Sequence, residues 1–170
     1  MERKLYIVRH GKSSWENEGL DDIDRPLAPR GKRNAVEMAE RLASAGLVPE
    51  LIYSSPAVRA YSTAKLMAGH WGLESGKLEV HRELYMAYIR EIFEVIERAP
   101  AEITSLAIFG HNPSFTLFAN NFFISPLNNL PTAGVAVITL DCKSWADVSG
   151  EKVITAHVDY PKNTAGLIRS

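Results

Sequence analysis

Cysteine is almost missing from this chain: Cys142 stands alone among 170 residues, so no intramolecular disulfide can form. That fits a reducing compartment and makes the cytoplasm the expected location. Surplus charge is missing too. Lys and Arg number 19 against 20 Asp and Glu, a formal net charge of -1, with no basic stripe and no block of like charges. Nucleic acid is therefore excluded as a partner, and any bound anion must be held by a few local residues. Long apolar runs are absent. The run nearest the N-terminus, Leu5 to Val8, is far short of a signal-peptide core or of the about 20 residues a membrane-crossing helix needs, so no membrane partner is expected. Repeats and low-complexity tracts are absent as well. What remains, 46% hydrophobic and 23% charged residues, is the composition of one soluble globular domain spanning residues 1–170.

Apolar periodicity organises that domain. "LYIV" at 5–8 is a buried-strand pattern that runs into Arg9, His10 and Gly11, followed by a polar stretch with neither helical nor strand period. Residues 30–46 place Ala35, Met38, Ala39, Leu42 and Ala43 at helical spacing, closed by Gly46. "ELIYSSP" predicts a short strand, with Ser55 as N-cap and Pro56 as first residue of a helix reaching Trp71. "KLEVHREL" gives another short strand, and "YIREIFEVIERA" sets Ile89, Ile92, Phe93 and Ile96 on one helical face ahead of Pro100. "TSLAIFGHNPSF" is an apolar run that meets Gly110 and His111, with Asn112 and Pro113 opening a further helix. "GVAVITLDC" and "KVITAHVDY" alternate like half-buried strands, near a sheet edge or as an antiparallel pair. Strands alternating with helices predict an α/β fold, a three-layer sandwich with a mostly parallel central sheet and helices on both faces.

In such sheets ligands collect beyond the carboxyl ends of the strands. Three predicted strands end in "RHG", "SSPAVR" and "GHNP", so parallel neighbours would bring Arg9, His10, Arg59 and His111 to one rim. Arginine presents a planar fork of donors matched to phosphate oxygens and stays charged at physiological pH. Helices starting near Pro56 and Pro113 would add positive ends of roughly half a charge each. A neutral imidazole is a competent nucleophile, with an ordinary pKa of about 6.5. Flanking arginines keep it neutral beside a phosphate dianion, and a backbone carbonyl on its other nitrogen fixes the tautomer. Gly11, having no Cβ, lets the chain turn tightly against the ring and the ligand.

"VRHG" at 8–11, "RPLAPRGKRNA" at 25–35, "IYSSPAVRAYSTA" at 52–64 and "IFGHNPS" at 108–114 together resemble the histidine phosphatase superfamily, in the family's order. Cofactor-dependent phosphoglycerate mutases and small bacterial phosphatases belong to that superfamily. The short chain and the loop from "RHGKSSW" to "DRPL" are most similar to SixA-like phosphohistidine phosphatases. The resemblance implies a phosphoglycerate mutase-like fold and a metal-independent phosphatase without a cofactor. In that scheme His10 is the nucleophile, and Arg9, Arg59 and His111 complete the phosphate pocket. Arg25 corresponds to a basic loop residue that reaches the phosphate, with Ser13 and Lys12 at the entrance and Gly11 and Asn112 among the binding residues. Glu83, in "VHRELY", stands near the position of the family's acid, although the glycine-rich continuation of many members is replaced by "LYMAYIREI". A P–N bond is labile enough to break with a weak acid or none, so this departure tilts the expected substrate toward phosphohistidine on a protein.

Other readings remain open. A small-molecule phosphomonoesterase would use the same residues, a non-catalytic phosphoprotein-docking module would use the same pocket without turnover, and a mutase would return the phosphoryl group instead of losing it to water. A metal hydrolase built from His10, His111 and a carboxylate of "DDID" is opposed by the two arginines, which would repel a cation. Arg25 could equally pair with Asp21, Asp22 or Asp24. Trp15 either touches substrate or pins the loop to the body. His70, His81 and His157 lack a motif and read as structural or exposed. Nothing in the sequence indicates the oligomeric state.

Overall fold

A computed structural model of the chain describes residues 1–163 and 168–169. Seven strands form one sheet in the order β3-β2-β4-β1-β5-β6-β7, with β1 Glu2–Arg9, β2 Leu51–Ser54, β3 Leu78–Val80, β4 Ser105–Gly110, β5 Val135–Asp141, β6 Val153–Asp159 and β7 Ile168–Arg169. β3, β2, β4 and β1 run parallel, while β5, β6 and β7 continue antiparallel from β1. Five of the seven strands thus share one direction. Among the described residues the α-helices are α1 Pro29–Ser44, α2 Val58–Trp71, α3 Ile89–Glu97 and α4 Ser114–Ala119.

Strand alternation sends successive side chains to opposite faces, and both faces are covered. Leu5, Ile7, Tyr53, Leu106 and Ile108 pack against α3 and α4 through Ile92, Val95, Ile96, Phe115 and Phe118. Tyr6, Val8, Ile52, Ala107 and Phe109 face α1 and α2 through Ala35, Met38, Leu42, Ala64 and Met67. This is the predicted three-layer sandwich, with the central parallel strands β1, β2 and β4 buried on both sides and rich in apolar residues, and β3 an exposed edge. No helix among the described residues is long and apolar enough to cross a membrane.

Some local expectations shift. The two tail segments do form an antiparallel pair, but β5 lies inside the sheet between β1 and β6 and is buried from Val135 to Leu140, not half-buried at an edge. α2 begins at Val58, two residues beyond Pro56, with Ala57 at its N-cap, which frees the Ser55 hydroxyl for another contact. α4 starts at Ser114 and spans 6 residues.

Register aligns the strand ends that matter. Arg9 pairs with Gly110 across β1 and β4, and Ser54 pairs with Phe109 across β2 and β4. The His10 amide donates to Gly110 O at 3.1 Å and the Ser55 amide to Phe109 O at 3.0 Å, so the chain leaves three parallel strands at one level.

Candidate active site

Beyond those ends lie two histidines, His10 buried and His111 half-buried. The His10 and His111 rings are 5.2 Å apart between centroids, tilted by 52°. His10 Nδ1 lies 2.6 Å from its neighbour's carbonyl, Gly11 O, and a carbonyl only accepts, so Nδ1 carries the proton and Nε2 keeps its lone pair. Burial pushes the His10 pKa down to about 4, and the guanidiniums of Arg59, Arg9 and Arg25 push the same way against the Gly11 bond. Burial likewise takes His111 to about 3, aided by His10 and Arg59. Both rings are therefore neutral at neutral pH.

His111 Nε2 meets Ser55 Oγ at 2.8 Å, and that oxygen already accepts from the Ala57 amide at 3.2 Å. With Ser55 donating its own proton to Nε2, the His111 proton lies on Nδ1, the tautomer that makes Nδ1 a donor. His111 Nδ1 and Arg9 Nε are both buried without a hydrogen-bond partner among the described residues. Buried polar groups normally have partners, and the acceptor that would satisfy two such donors between arginines is an oxyanion. Arg9 is anchored through Nη1 to Leu130 O at 3.0 Å. Arg59, buried on the first turn of α2, donates from Nη1 to Asp22 O at 2.6 Å and from Nη2 to Asp22 Oδ2 at 2.9 Å. Two neutral imidazoles, one with an open Nε2 lone pair, beside two guanidiniums have the groups needed to bind and transfer a phosphoryl group.

The model of the histidine phosphatase superfamily, branch 1, matches residues 5–118, which contain all four of these residues. The chain belongs to the histidine phosphatase superfamily. An uncharacterised protein of Mycobacterium tuberculosis is 30% identical over 153 residues, covering 83% of this chain and 91% of that protein. Among solved structures, a candidate phosphohistidine phosphatase SixA from Nakamurella multipartitia superposes with a TM-score of 0.81 at 22% identity, covering 96% of this chain and 98% of that one. A candidate SixA from Agrobacterium tumefaciens gives a TM-score of 0.73 at 28% identity, covering 82% of this chain and 92% of the other. This histidine phosphatase is thus SixA-like in fold, and its family membership supports a phosphatase activity.

The remaining predicted residues of the phosphatase fall in several places. Arg25 is buried and aims Nη1 at Asp22 Oδ1 (3.2 Å) and Nη2 at Ser13 Oγ (2.6 Å), with its guanidinium 3.2 Å from the centre of the Trp15 ring. Of the three aspartates within its reach in sequence, it pairs with Asp22. Lys12 is exposed, and its carbonyl accepts from the Ala28 amide at 2.8 Å. Asn112 turns away to hold the next loop, donating to Asn129 Oδ1 and Leu130 O at 2.8 and 3.0 Å, and so supports the carbonyl that anchors Arg9. Gly11 also meets a constraint the sequence did not reveal: a Cβ there would come within 2.7 Å of Gly31 O, so the motif lies tight against α1. Its amide donates to Thr63 Oγ1 at 3.0 Å, tying the motif to α2.

Glu83 is ion-paired with Arg98, one residue past the end of α3, and its own backbone amide and Arg98 hold its carboxyl below the ordinary range. Two functional neighbours were not singled out from sequence. Tyr85 donates to Asp22 Oδ2 at 2.7 Å and stands edge-on to His111, 5.4 Å between centroids. Asp22 joins Arg59, Arg25 and Tyr85 at the entrance. Its run of like acidic residues gave no way to tell it from Asp21 and Asp24. Of the histidines without a motif, His70 is exposed beside Glu40, His81 stacks on Tyr53, and His157 lies on β6.

Proposed function

We propose that this phosphatase removes the phosphoryl group of phosphohistidine on a protein, through a phosphohistidine intermediate on His10, without metal or cofactor. The observation that carries the reading is the ionisation of the site's carboxylates. Asp22 is held down to about 2 by the Tyr85 hydrogen bond and by Arg59, and Glu83 is held low by its own amide and Arg98. An alkoxide leaving group needs a proton, a contribution commonly worth about 10²–10⁴-fold, and an ionised carboxylate does not supply it. An imidazole leaves a P–N bond without that help.

In the first step the His10 Nε2 lone pair attacks phosphorus while Arg9, Arg59 and His111 Nδ1–H neutralise the equatorial oxygens. The P–N bond of the substrate breaks with its electron pair going to the departing ring. Water then adds to phosphorus, the bond to His10 breaks, and the pair returns to Nε2. Exposed Trp15 lies over Arg25, and Met86 and Tyr88, exposed too, follow Tyr85 in sequence; such residue types are favoured at protein contacts.

The test is a comparison of kcat/KM for a phosphohistidine peptide, an alkyl phosphate and p-nitrophenyl phosphate, with and without chelator. The peptide should exceed the alkyl ester by about 10² or more, with no loss in chelator. An alkyl ester turned over faster would establish a phosphomonoesterase instead. Binding without turnover of any substrate would establish a docking module, and activity restored by added metal would overturn the mechanism.

A further inference from the structure

Asp22 is hydrogen-bonded on both oxygens and still half open to solvent. Oδ2 accepts from Arg59 and Tyr85, and Oδ1 accepts from Arg25 at 3.2 Å, while the side chain keeps 52% of its accessible surface. A carboxylate offers about four acceptor positions, so one remains, on Oδ1. Its place is defined by two contacts: Arg59, which belongs to the phosphate pocket, and Tyr85, whose ring stands against His111. Asp22 therefore sits half exposed beside the pocket, linked to it through Arg59 and through Tyr85, whose ring meets His111.

An anion beside an anion site needs a reason, because it repels the incoming phosphate. A carboxylate that only oriented Arg59 could be an amide or a main-chain oxygen, and Asp22 O already performs that task through Arg59 Nη1 at 2.6 Å. Arg59 and Arg25 pair with the charge within the protein, and the acceptor position still open on Oδ1 suits a positive group in the substrate beyond the phosphorus. Phosphohistidine has one: with the phosphoryl group on one ring nitrogen, protonation of the other makes the ring a cation with an N–H pointing outward.

We propose that Asp22 is a specificity-determining residue that accepts this N–H and so selects a protonated imidazole as leaving group, an assignment that rests on the phosphohistidine reading above. The two rings of the transfer are then held alike. His10 keeps its Nδ1 proton on Gly11 O as Nε2 forms the new P–N bond, and the substrate ring keeps its distal proton on Asp22 as its own P–N bond breaks. The electron pair of the broken bond stays on the departing nitrogen, which leaves as neutral imidazole, and no proton has to be delivered during the step. The positive charge passes from the leaving ring to the His10 ring, which lies among the arginines and makes the second step, loss to water, favourable.

The probe is phosphoimidazole, which carries the ring without a protein, measured beside p-nitrophenyl phosphate on wild type and Asp22→Asn. Asparagine keeps an acceptor for Arg59 and removes the charge. The ratio of kcat/KM for phosphoimidazole to that for the aryl ester should fall about 10- to 100-fold in the variant, the scale of one charge-assisted hydrogen bond. A binding measurement needs no turnover: imidazole at pH 6 should strengthen orthophosphate binding to wild type, by calorimetry, and lose that effect in Asp22→Asn. If both substrates fall together and imidazole has no effect on orthophosphate, Asp22 merely positions Arg59 and the proposal is overturned. A phosphohistidine peptide as a third substrate separates the two claims. Slow turnover of the peptide with the Asp22 effect intact on phosphoimidazole would sink the protein-substrate reading alone.

Discussion

His10 leans on a backbone carbonyl and His111 on a buried serine, whereas Asp22, beside Arg59 and Tyr85, is half exposed and held by side chains from three separate segments. The floor takes its geometry from strand register: once β1, β2 and β4 pair, Gly11 O and Ser55 Oγ are in place. The rim takes its geometry from ion pairs and hydrogen bonds among Asp22, Arg25, Arg59, Ser13 and Tyr85. Rigid elements hold reacting groups more closely than loops do, so phosphoryl chemistry belongs to the floor and discrimination of the attached group to the rim.

The comparison breaks most visibly at the floor. His10→Ala should lower kcat/KM on every substrate by on the order of 10⁴-fold with the circular dichroism spectrum unchanged, because it removes the lone pair proposed to attack phosphorus. Arg59 belongs to both regions, and Arg59→Ala should cost about 10²–10³-fold while weakening orthophosphate binding measured by calorimetry. Residual activity near wild type in either variant would place the chemistry elsewhere.

Seating of the motif on α1 gives a stability effect. A Cβ at Gly31 would come within 2.2 Å of Lys12 O, a backbone contact that has no rotamer to escape through. Gly31→Ala should therefore cost about 1–3 kcal/mol in urea unfolding, while Gly69→Ala, where a Cβ meets nothing, should be neutral or stabilising.

pH sharpens the comparison further. His10 at about 4 and His111 at about 3 stay neutral well below the ordinary histidine value of about 6.5. After correction for substrate ionisation, kcat/KM should hold from pH 7 to pH 5 and fall only near pH 4, and a fall centred near 6.5 would show a solvated nucleophile. The sign for stability follows from the same depression. The unfolded chain binds protons that the folded one refuses, so stability is full above about 6.5 and drops as pH falls toward 4, read as a lower Tm. The smallest effect is expected at the outer rim, where Trp15, 69% exposed over Arg25, should change KM for a peptide by a few-fold when replaced by Ala and leave p-nitrophenyl phosphate nearly untouched.

The sequence was legible where apolar runs stop abruptly. "LYIVRHG", "LIYSSP" and "AIFGHNP" each announce a buried strand and then a polar tip, and the α/β alternation puts those tips together. Ser55 reads as a cap, a place the structure gives to Ala57, and its contact with His111 was not legible because it joins strand ends 56 residues apart. The rim was hardly legible. Asp22 is one of three near-equivalent aspartates, and which of them meets Arg59 depends on the path of a loop without periodicity. Glu83 illustrates the converse: its position in the chain suits an acid, but Arg98 at the end of α3 claims it, and no local spacing reveals that pairing.

The central claim, that His10 carries the phosphoryl group, is tested most directly by rapid quench of one turnover with a ³²P-labelled phosphoryl donor, followed by peptide mapping. The account predicts acid-labile, alkali-stable label on the peptide containing His10 that appears before orthophosphate and is absent in His10→Ala. Label on another residue, or orthophosphate released with no labelled protein at any time, would contradict it.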